Sequence, residues 1–186
     1  PKLHVEEAIV FSALSVFNAG GEGRASLLLN QTTRMDIYSF IKSNPGLHFR
    51  ALSIYLDLPI GVLQYHLGLL VSRGLLSTYR IGRYKRYFES KRFTEIEMKV
   101  ISVLRNGTSG KIVVALFEKP QTTHKDLATQ LNISSQALSW QMNRLESLGF
   151  VKRNVEGLNV KYSLDGTIYT TVGQYVDLLE SVTTKI

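Results

Sequence analysis

The residues with the clearest chemical role are the cations between Arg80 and Arg92. This stretch has Glu89 as its one acid and holds Arg80, Arg83, Lys85, Arg86, Lys91 and Arg92, interleaved with Tyr79, Tyr84 and Tyr87. Guanidinium, ammonium and phenol groups contact DNA phosphates, and an arginine can enter the minor groove. We therefore expect a nucleic-acid contact, made here by Arg80, Arg83, Tyr84, Lys85 and Arg86. A solvated basic hairpin is the alternative interpretation.

A second candidate site is the polar side of the segment 134–147. Leu138, Met142 and Leu145 recur at three- and four-residue steps, which is typical of the buried face of a helix. The opposite face would carry Ser135, Gln136, Ser139, Trp140, Asn143 and Arg144. Because Gln and Asn pair with adenine and Arg pairs with guanine, this face is suited to reading bases. The alternatives are a solvated polar face and, for Trp140, stacking on neighbouring structure.

The segment 59–72 has the same pattern but a less polar surface. Its buried face would hold Leu63, Leu67 and Leu70, and its opposite face would hold Gln64, Tyr65 and Gly68. The additional apolar residues of this helix are Ile60, Leu69 and Val71. We expect Gln64 and Tyr65 to contact DNA, while part of the helix packs against a partner subunit or the other half of the chain.

No residues are spaced as in a catalytic or metal site. The chain has no cysteine, which excludes disulfides, cysteine-ligated zinc, iron–sulfur clusters and a thiol nucleophile. Its histidines do not form an HExxH motif, its carboxylates are scattered singly, and it contains no Gly-x-Ser-x-Gly elbow. We therefore expect no enzymatic activity, no cofactor, no metal and no small-molecule substrate.

These candidate residues belong to an internal repeat. A shift of 75 residues aligns residues 34–89 with 109–164 without a gap. The matching pairs include Ile37 with Ile112, Pro45 with Pro120, Leu67 with Met142, Gly74 with Gly149 and Tyr87 with Tyr162. Each copy predicts three helices, with a tight turn between the second and third, followed by a β-hairpin. The fold class is therefore mainly α with small β-hairpins, as two tandem winged helix-turn-helix domains.

The predicted elements have the following bounds. In the first copy the helices cover about 32–43, 48–57 and 59–72, and the strands about 75–80 and 85–89. In the second copy the helices cover about 109–118, 123–131 and 134–147, and the strands about 150–155 and 160–164. Ser134 is suited to a helix N-cap, and Gly74 and Gly149 are placed like glycines that follow a helix C-terminus.

The sequence resembles a family of archaeal regulators on three stretches. These are PGLHFRALSIYLDLPIGVLQYHLGLLVSRGLL, the hairpin YRIGRYKRYF, and KDLATQLNISSQALSWQMNRLESLGFV. They are similar to tandem winged helix-turn-helix transcription regulators related to the ArsR and MarR groups. The resemblance implies sequence-specific binding of double-stranded DNA, with the third helix in the major groove, and a homodimer. It also implies a weak DNA contact by His66, because relatives often have a histidine near the DNA in this segment.

We predict four parts in the chain. Residues 1–30 form an N-terminal apolar segment and linker, with a flexible turn at 18–24; residues 31–93 form the first winged-helix domain. Residues 94–165 form the second such domain with a joining helix, and 166–186 form a C-terminal helix. The apolar run 8–17 is too short to span a bilayer, although a membrane anchor in preceding residues is an alternative. We expect a homodimer held by 8–17 and the apolar stripe at 168–179; the alternative for the stripe is packing on its own domain.

The charge distribution favours a polyanionic partner. The net charge is +7, and residues 1–93 contain 12 basic and 6 acidic side chains, against 10 and 9 in residues 94–186. Phosphate binding is thus expected from the first copy and base reading from the second. A cysteine-free chain is consistent with a cytoplasmic protein. Alternatives are an interaction scaffold built from tandem winged helices that does not bind DNA, and an RNA-binding protein.

Overall fold

The computed structural model describes residues 21–156 and 159–178, and these fall into two compact units. One unit extends to Asp36 and the other begins at Ile37. Both winged-helix repeats, apart from the first residues of the 34–89 copy, lie in the second unit. The run 8–17, proposed above as part of a dimer interface, lies outside the described residues.

Helix α1 covers Gly21–Ser43 and corrects the prediction of a turn or linker at 18–24. Of that stretch, Gly21 to Arg24 are described, and they are helical. The residues after Gly23 are Arg24, Ala25 and Ser26, followed by three leucines, and most of these are good helix formers. The two glycines cost about 1 kcal/mol each in a helix interior, and the good helix formers that follow offset this cost.

The first domain is built from the end of α1 and from α2 (Phe49–Leu56), α3 (Ile60–Ser72), β1 (Leu76–Ile81) and β2 (Tyr84–Glu89). His48 caps α2, since its Nδ1 accepts a hydrogen bond from the Ala51 amide at 3.0 Å. After α3, Gly74 adopts φ +71°, and the amides of Gly74 and Leu75 bond back to Val71 and Leu70. This Schellman motif ends the helix and directs the chain into β1. We call the β1–β2 hairpin the first wing.

Helix α4 (Glu95–Leu104) connects the two domains. Thr94 and Glu97 form a capping box at its N-terminus. Such a box satisfies two backbone amides that the helix itself leaves without partners.

The second domain repeats this order with one addition. It contains α5 (Gly107–Glu118), β3 (Thr122–Thr123), α6 (His124–Leu131), α7 (Ser135–Ser147), β4 (Val151–Glu156) and β5 (Asn159–Leu164). Ser134 is the N-cap of α7, and Gly149 follows its C-terminus with φ +70°. Strand β3 makes a three-stranded sheet of order β3-β5-β4, and the β4–β5 hairpin is the second wing. The predicted tandem winged helix-turn-helix fold is confirmed.

Helix α8 (Gly166–Tyr175) packs on its own chain, which corrects the predicted dimer stripe. Ile168 and Val172 are buried in the apolar core of the second domain. The Tyr175 hydroxyl donates a 2.6 Å hydrogen bond to Glu97 Oε1, and burial together with this bond raises the pKa of Tyr175 to about 12. The apolar spacing fits intramolecular packing because α4 and α8 lie side by side. A further turn, Val176–Leu178, follows α8.

The two domains pack together through the first wing and α4. Ile81, in β1, is buried in the same apolar cluster as Val100 and Leu104. On the other side of α4, Arg105 Nε donates to the Pro45 carbonyl at 2.9 Å. The first wing is thus shared: its strands follow α3 in sequence, but part of its apolar surface lies in the core of the second domain.

Among the helices that the structure describes, none taken singly has the length and apolar composition to cross a bilayer. Two pairs of consecutive helices, α2 with α3 and α4 with α5, together have the length and apolar composition of a membrane span, but each pair is sharply bent.

Candidate nucleic-acid interface

The tip of the first wing presents several exposed cations. Arg80 and Lys85 face each other across the hairpin, and Arg83 lies in the two-residue turn between the strands. All three are exposed, as is Tyr84, whose ring centre lies 5.9 Å from the Arg83 guanidinium. Within the part of the chain that is described, no carboxylate pairs with any of the three. Their charges are therefore available to an external anion.

Farther along the wing, the one carboxylate of the cationic stretch is paired within the chain. Glu89 lies 3.3 Å from Lys42 Nζ and 3.1 Å from Arg92 Nη1, and it accepts a 2.8 Å hydrogen bond from the Tyr38 hydroxyl. These contacts fasten the base of the wing to α1. The cationic stretch is thus divided into a free tip and a paired base.

Arg86 corrects one of the predicted DNA contacts. Its side chain is only 2% exposed, and its Nη1 donates a 2.7 Å hydrogen bond to the Gly46 carbonyl. Burial, followed by the charges of Arg105 and Arg144, lowers the pKa of Arg86 to about 10. Side chains alternate across a strand, so Arg86 points inward while Lys85 points outward. Arg86 joins β2 to the turn after α1 and does not face solvent.

His66 is a second correction. It is 1% exposed, and it lies on the same side of α3 as the buried Leu63 and Leu67. A histidine in this position cannot reach a DNA groove, so the contact implied by the family resemblance does not fit this chain. His66 is instead buried within the first domain.

Helix α7 carries the most polar exposed surface of the second domain. Leu138, Met142 and Leu145 are fully buried, as predicted, and the opposite side exposes Ser135, Gln136, Ser139, Trp140 and Asn143. Trp140 is 62% exposed and stacks on no aromatic ring among the described residues; the Arg144 guanidinium lies 5.8 Å from its ring centre. The helix therefore offers amide, hydroxyl and indole groups to a ligand.

The two edges of this polar surface contact different hairpins. On one edge Arg153 of the second wing donates to Glu146 Oε1 at 3.0 Å and to Asn143 Oδ1 at 3.2 Å. On the other edge lies Arg144, whose Nη2 is 3.4 Å from the point where a Cβ on Gly82 would stand. Gly82 is in the turn of the first wing. Helix α7 therefore has a wing along each edge, one from each domain.

Helix α3 presents a different surface. Gln64, Tyr65 and Gly68 are exposed as predicted, but Ile60 is also 66% exposed and Val62 39% exposed. The neighbouring helix adds Ile54, which is 70% exposed. His66 is the only ionisable residue from Ile60 to Ser72 besides Tyr65, and it is buried. We call Ile54, Ile60, Val62 and Tyr65 the apolar patch.

In the part of the chain that the structure describes, no three His, Asp or Glu side chains come together as metal ligands would.

Two family models and one curated protein match this chain. Residues 31–101 match a family model described as an N-terminal HTH domain, and residues 105–152 match one described as winged helix-turn-helix DNA-binding. An uncharacterised HTH-type transcriptional regulator of Methanocaldococcus jannaschii is 31% identical over 144 residues, which are 76% of this chain and 35% of the relative. The chain therefore spans about a third of the length of the curated relative it matches.

Solved structures similar to part of this chain include two of low sequence identity. NolR from Sinorhizobium fredii is 19% identical, with 45% of this chain and 82% of NolR covered and a TM-score of 0.39. A homodimeric winged helix-turn-helix DNA-binding domain from Mycobacterium bovis, described as possibly of the ArsR family, is 20% identical. Its coverage is 49% of this chain and 83% of that domain, with a TM-score of 0.40.

Proposed function

The chain is a tandem winged helix-turn-helix protein related to an archaeal HTH-type transcriptional regulator, and from this premise we propose that it binds double-stranded DNA sequence-specifically and regulates transcription. The observation that carries the proposal is the exposed amide and hydroxyl surface of α7, since the turn of the first wing, which bears cations without carboxylate partners among the described residues, contacts the edge of this helix. A helix in the major groove reads base edges, while cations beside it hold the phosphates.

The residues divide into two roles. Gln136 and Ser139 lie in the N-terminal half of α7, where a recognition helix contacts base edges. Asn143 is also exposed, but its amide oxygen already accepts a bond from Arg153, so it has its amide hydrogens to offer. Arg80, Arg83 and Lys85 are suited to phosphates. A regulator of this kind acts where the chromosome is, so we place it in the cytoplasm.

The proposal is tested by selecting bound duplexes from a random DNA pool. We expect enrichment of one sequence, with affinity that falls linearly in a plot of log affinity against log salt. Duplex RNA of the same sequence serves as competitor. Gln136→Ala should cost about 1–3 kcal/mol on the selected duplex and little on random DNA. A pool that shows no enrichment, or equal competition by RNA, would contradict the proposal.

We also propose that the protein is a homodimer that uses the apolar patch. An exposed surface made mainly of apolar side chains is poorly suited to phosphates and is typical of contacts between proteins. The exposed apolar patch also favours a second candidate function, an interaction scaffold that does not bind DNA. The unpaired cations of the first wing favour the DNA-binding regulator over the scaffold.

A further inference from the structure

We infer that the first wing and α7, which belong to different domains, form one composite DNA site and contact the same stretch of duplex. The inference rests on the proposed function and specifies it further. In a winged helix the hairpin ordinarily accompanies the recognition helix of its own domain. Here the free cations are in one domain and the polar recognition surface is in the other.

The packing between the domains brings these two surfaces together. Ile81, at the end of β1, is 4% exposed and belongs to the core of the second domain. The next residue, Gly82, stands against the Arg144 guanidinium on the edge of α7. Because β1 is anchored by this core, the turn cannot move away from α7 without exposing Ile81. The position of Arg83 relative to α7 is therefore fixed by apolar packing.

The charges of the two wings make the first wing the better phosphate ligand. In the second wing Arg153 is paired with Glu146, and Lys152 lies 3.1 Å from Asp165 Oδ2. In the first wing Arg80, Arg83 and Lys85 have no such partners among the described residues. Binding a phosphate through Arg153 would require breaking its ion pair with Glu146, whereas Arg83 can bind a phosphate without breaking an ion pair. The composite site thus takes its phosphate contacts mainly from the first wing.

The alternative is that the first wing serves α3, the helix before it in sequence. That helix exposes Ile60, Val62 and Tyr65 beside one amide side chain, Gln64, and it has no accessible charge. Apolar side chains contribute little to reading polar base edges. The first wing therefore has a better-matched neighbour in α7 than in α3.

A cleavage experiment distinguishes the two arrangements, and the cysteine-free chain makes it simple. Arg83→Cys and Gln136→Cys each give a single thiol at an exposed position, to which an iron–EDTA group is tethered. Gln174→Cys, exposed on α8, is the control. The probe is the duplex selected from the random pool, end-labelled, with binding of each labelled variant checked first.

The composite site predicts cleavage from position 83 and from position 136 within about one helical turn, or about 10 base pairs, of each other. The control should cleave at least tenfold less. Cleavage centres farther apart than one turn, or no cleavage from position 83 while position 136 cleaves, would overturn the inference and leave the proposed function intact. Failure of the unlabelled wild-type chain to bind any selected duplex would overturn the proposed function and, with it, the composite site.

Discussion

Arg83 and Lys85 are two of the residues of the first wing from which we expect phosphate contacts. Both are exposed; Arg83 lies in the turn that contacts α7, and Lys85 lies in the strand that follows it. We expect Arg83→Ala with Lys85→Ala to weaken binding to all DNA sequences alike. The slope of log affinity against log salt should become shallower by up to about 2, because each lost phosphate contact contributes about 0.9. A salt titration measures this slope, and an unchanged slope would mean that the tip does not touch DNA.

Arg86, one residue farther, should behave in the opposite way. Arg86→Ala removes the donor that satisfies the Gly46 carbonyl and leaves space in a buried region. We expect it to lower the free energy of unfolding by about 1–3 kcal/mol, a typical cost for an unsatisfied buried polar group. Arg83→Ala is the matched control, and it should stay within about 0.5 kcal/mol of wild type. Denaturant unfolding checks both, and equal stabilities would contradict the buried role of Arg86.

Residue type alone could not separate Arg86 from its neighbours. The sequence shows six cations spread between Arg80 and Arg92. Strand alternation indicates only that some of these side chains point to the same face of the hairpin. Which face is buried depends on what packs against the hairpin, and that is the turn at Gly46 together with the second domain. The predicted DNA contact of His66 is wrong for a related reason: the spacing of His66 from Leu63 and Leu70 places it beside the core positions of the helix.

At the scale of elements, the turn after α1 controls how the domains meet. Gly46 has φ +80°, and a Cβ there would stand 2.6 Å from Ile101 Cγ2 and 3.3 Å from Phe88 Cζ. Gly46→Ala should therefore cost both backbone strain and overpacking, together about 2–5 kcal/mol. Gly74→Ala is the control: its φ is +71°, and no described atom lies within 4 Å. It should cost only about 1–2 kcal/mol, measured by the same unfolding experiment. Equal losses would mean that the turn is not tightly packed.

The start of α8 gives a pH-dependent prediction. The Asp165 carboxylate accepts hydrogen bonds from the Thr167 hydroxyl and amide and lies near Lys152, and these contacts lower its pKa to about 2, from 3.8. Its contribution to stability is therefore complete above about pH 4 and is lost as pH falls toward 2. We expect Asp165→Ala to lower the Tm at pH 7 and to approach the wild-type Tm at pH 2. Asp165→Asn, which can still cap the helix, should lose less. A Tm difference that is constant with pH would contradict this role.

Most elements were predictable from the sequence, because their signals are local. Ser134 caps α7, and Gly74 and Gly149 follow their helices with positive φ, as the residue types indicate. Strand β3 was not predictable, since its two residues depend on pairing with β5. The packing of β1 against the second domain was not predictable either, because apolar periodicity tells which face is buried but not what covers it. For that reason the sequence left phosphate binding and base reading in different domains.

At the scale of the whole molecule, two copies of one domain have acquired different surfaces. The first keeps free cations on its wing but an uncharged third helix; the second keeps a polar third helix but pairs the cations of its wing. Each copy thus lacks what the other provides. The packing across α4 brings the complementary parts together and leaves the apolar patch as a separate surface.

The apolar patch predicts how the protein assembles. Ile54 and Ile60, at 70% and 66% exposure, place two large apolar side chains in water, and a second copy of the chain would cover them. Ile54→Glu with Ile60→Glu should therefore give monomers with unchanged helical content, because neither side chain contributes to the core. Ile96→Glu, at a 52% exposed site on α4, is the control and should leave the assembly intact. Sedimentation at tens of micromolar distinguishes the outcomes, and a wild-type chain that is monomeric there would contradict the homodimer.

Because a twofold dimer presents its DNA-binding surfaces as a symmetric pair, the double variant should also lose affinity for a palindromic duplex more than for a single half-site.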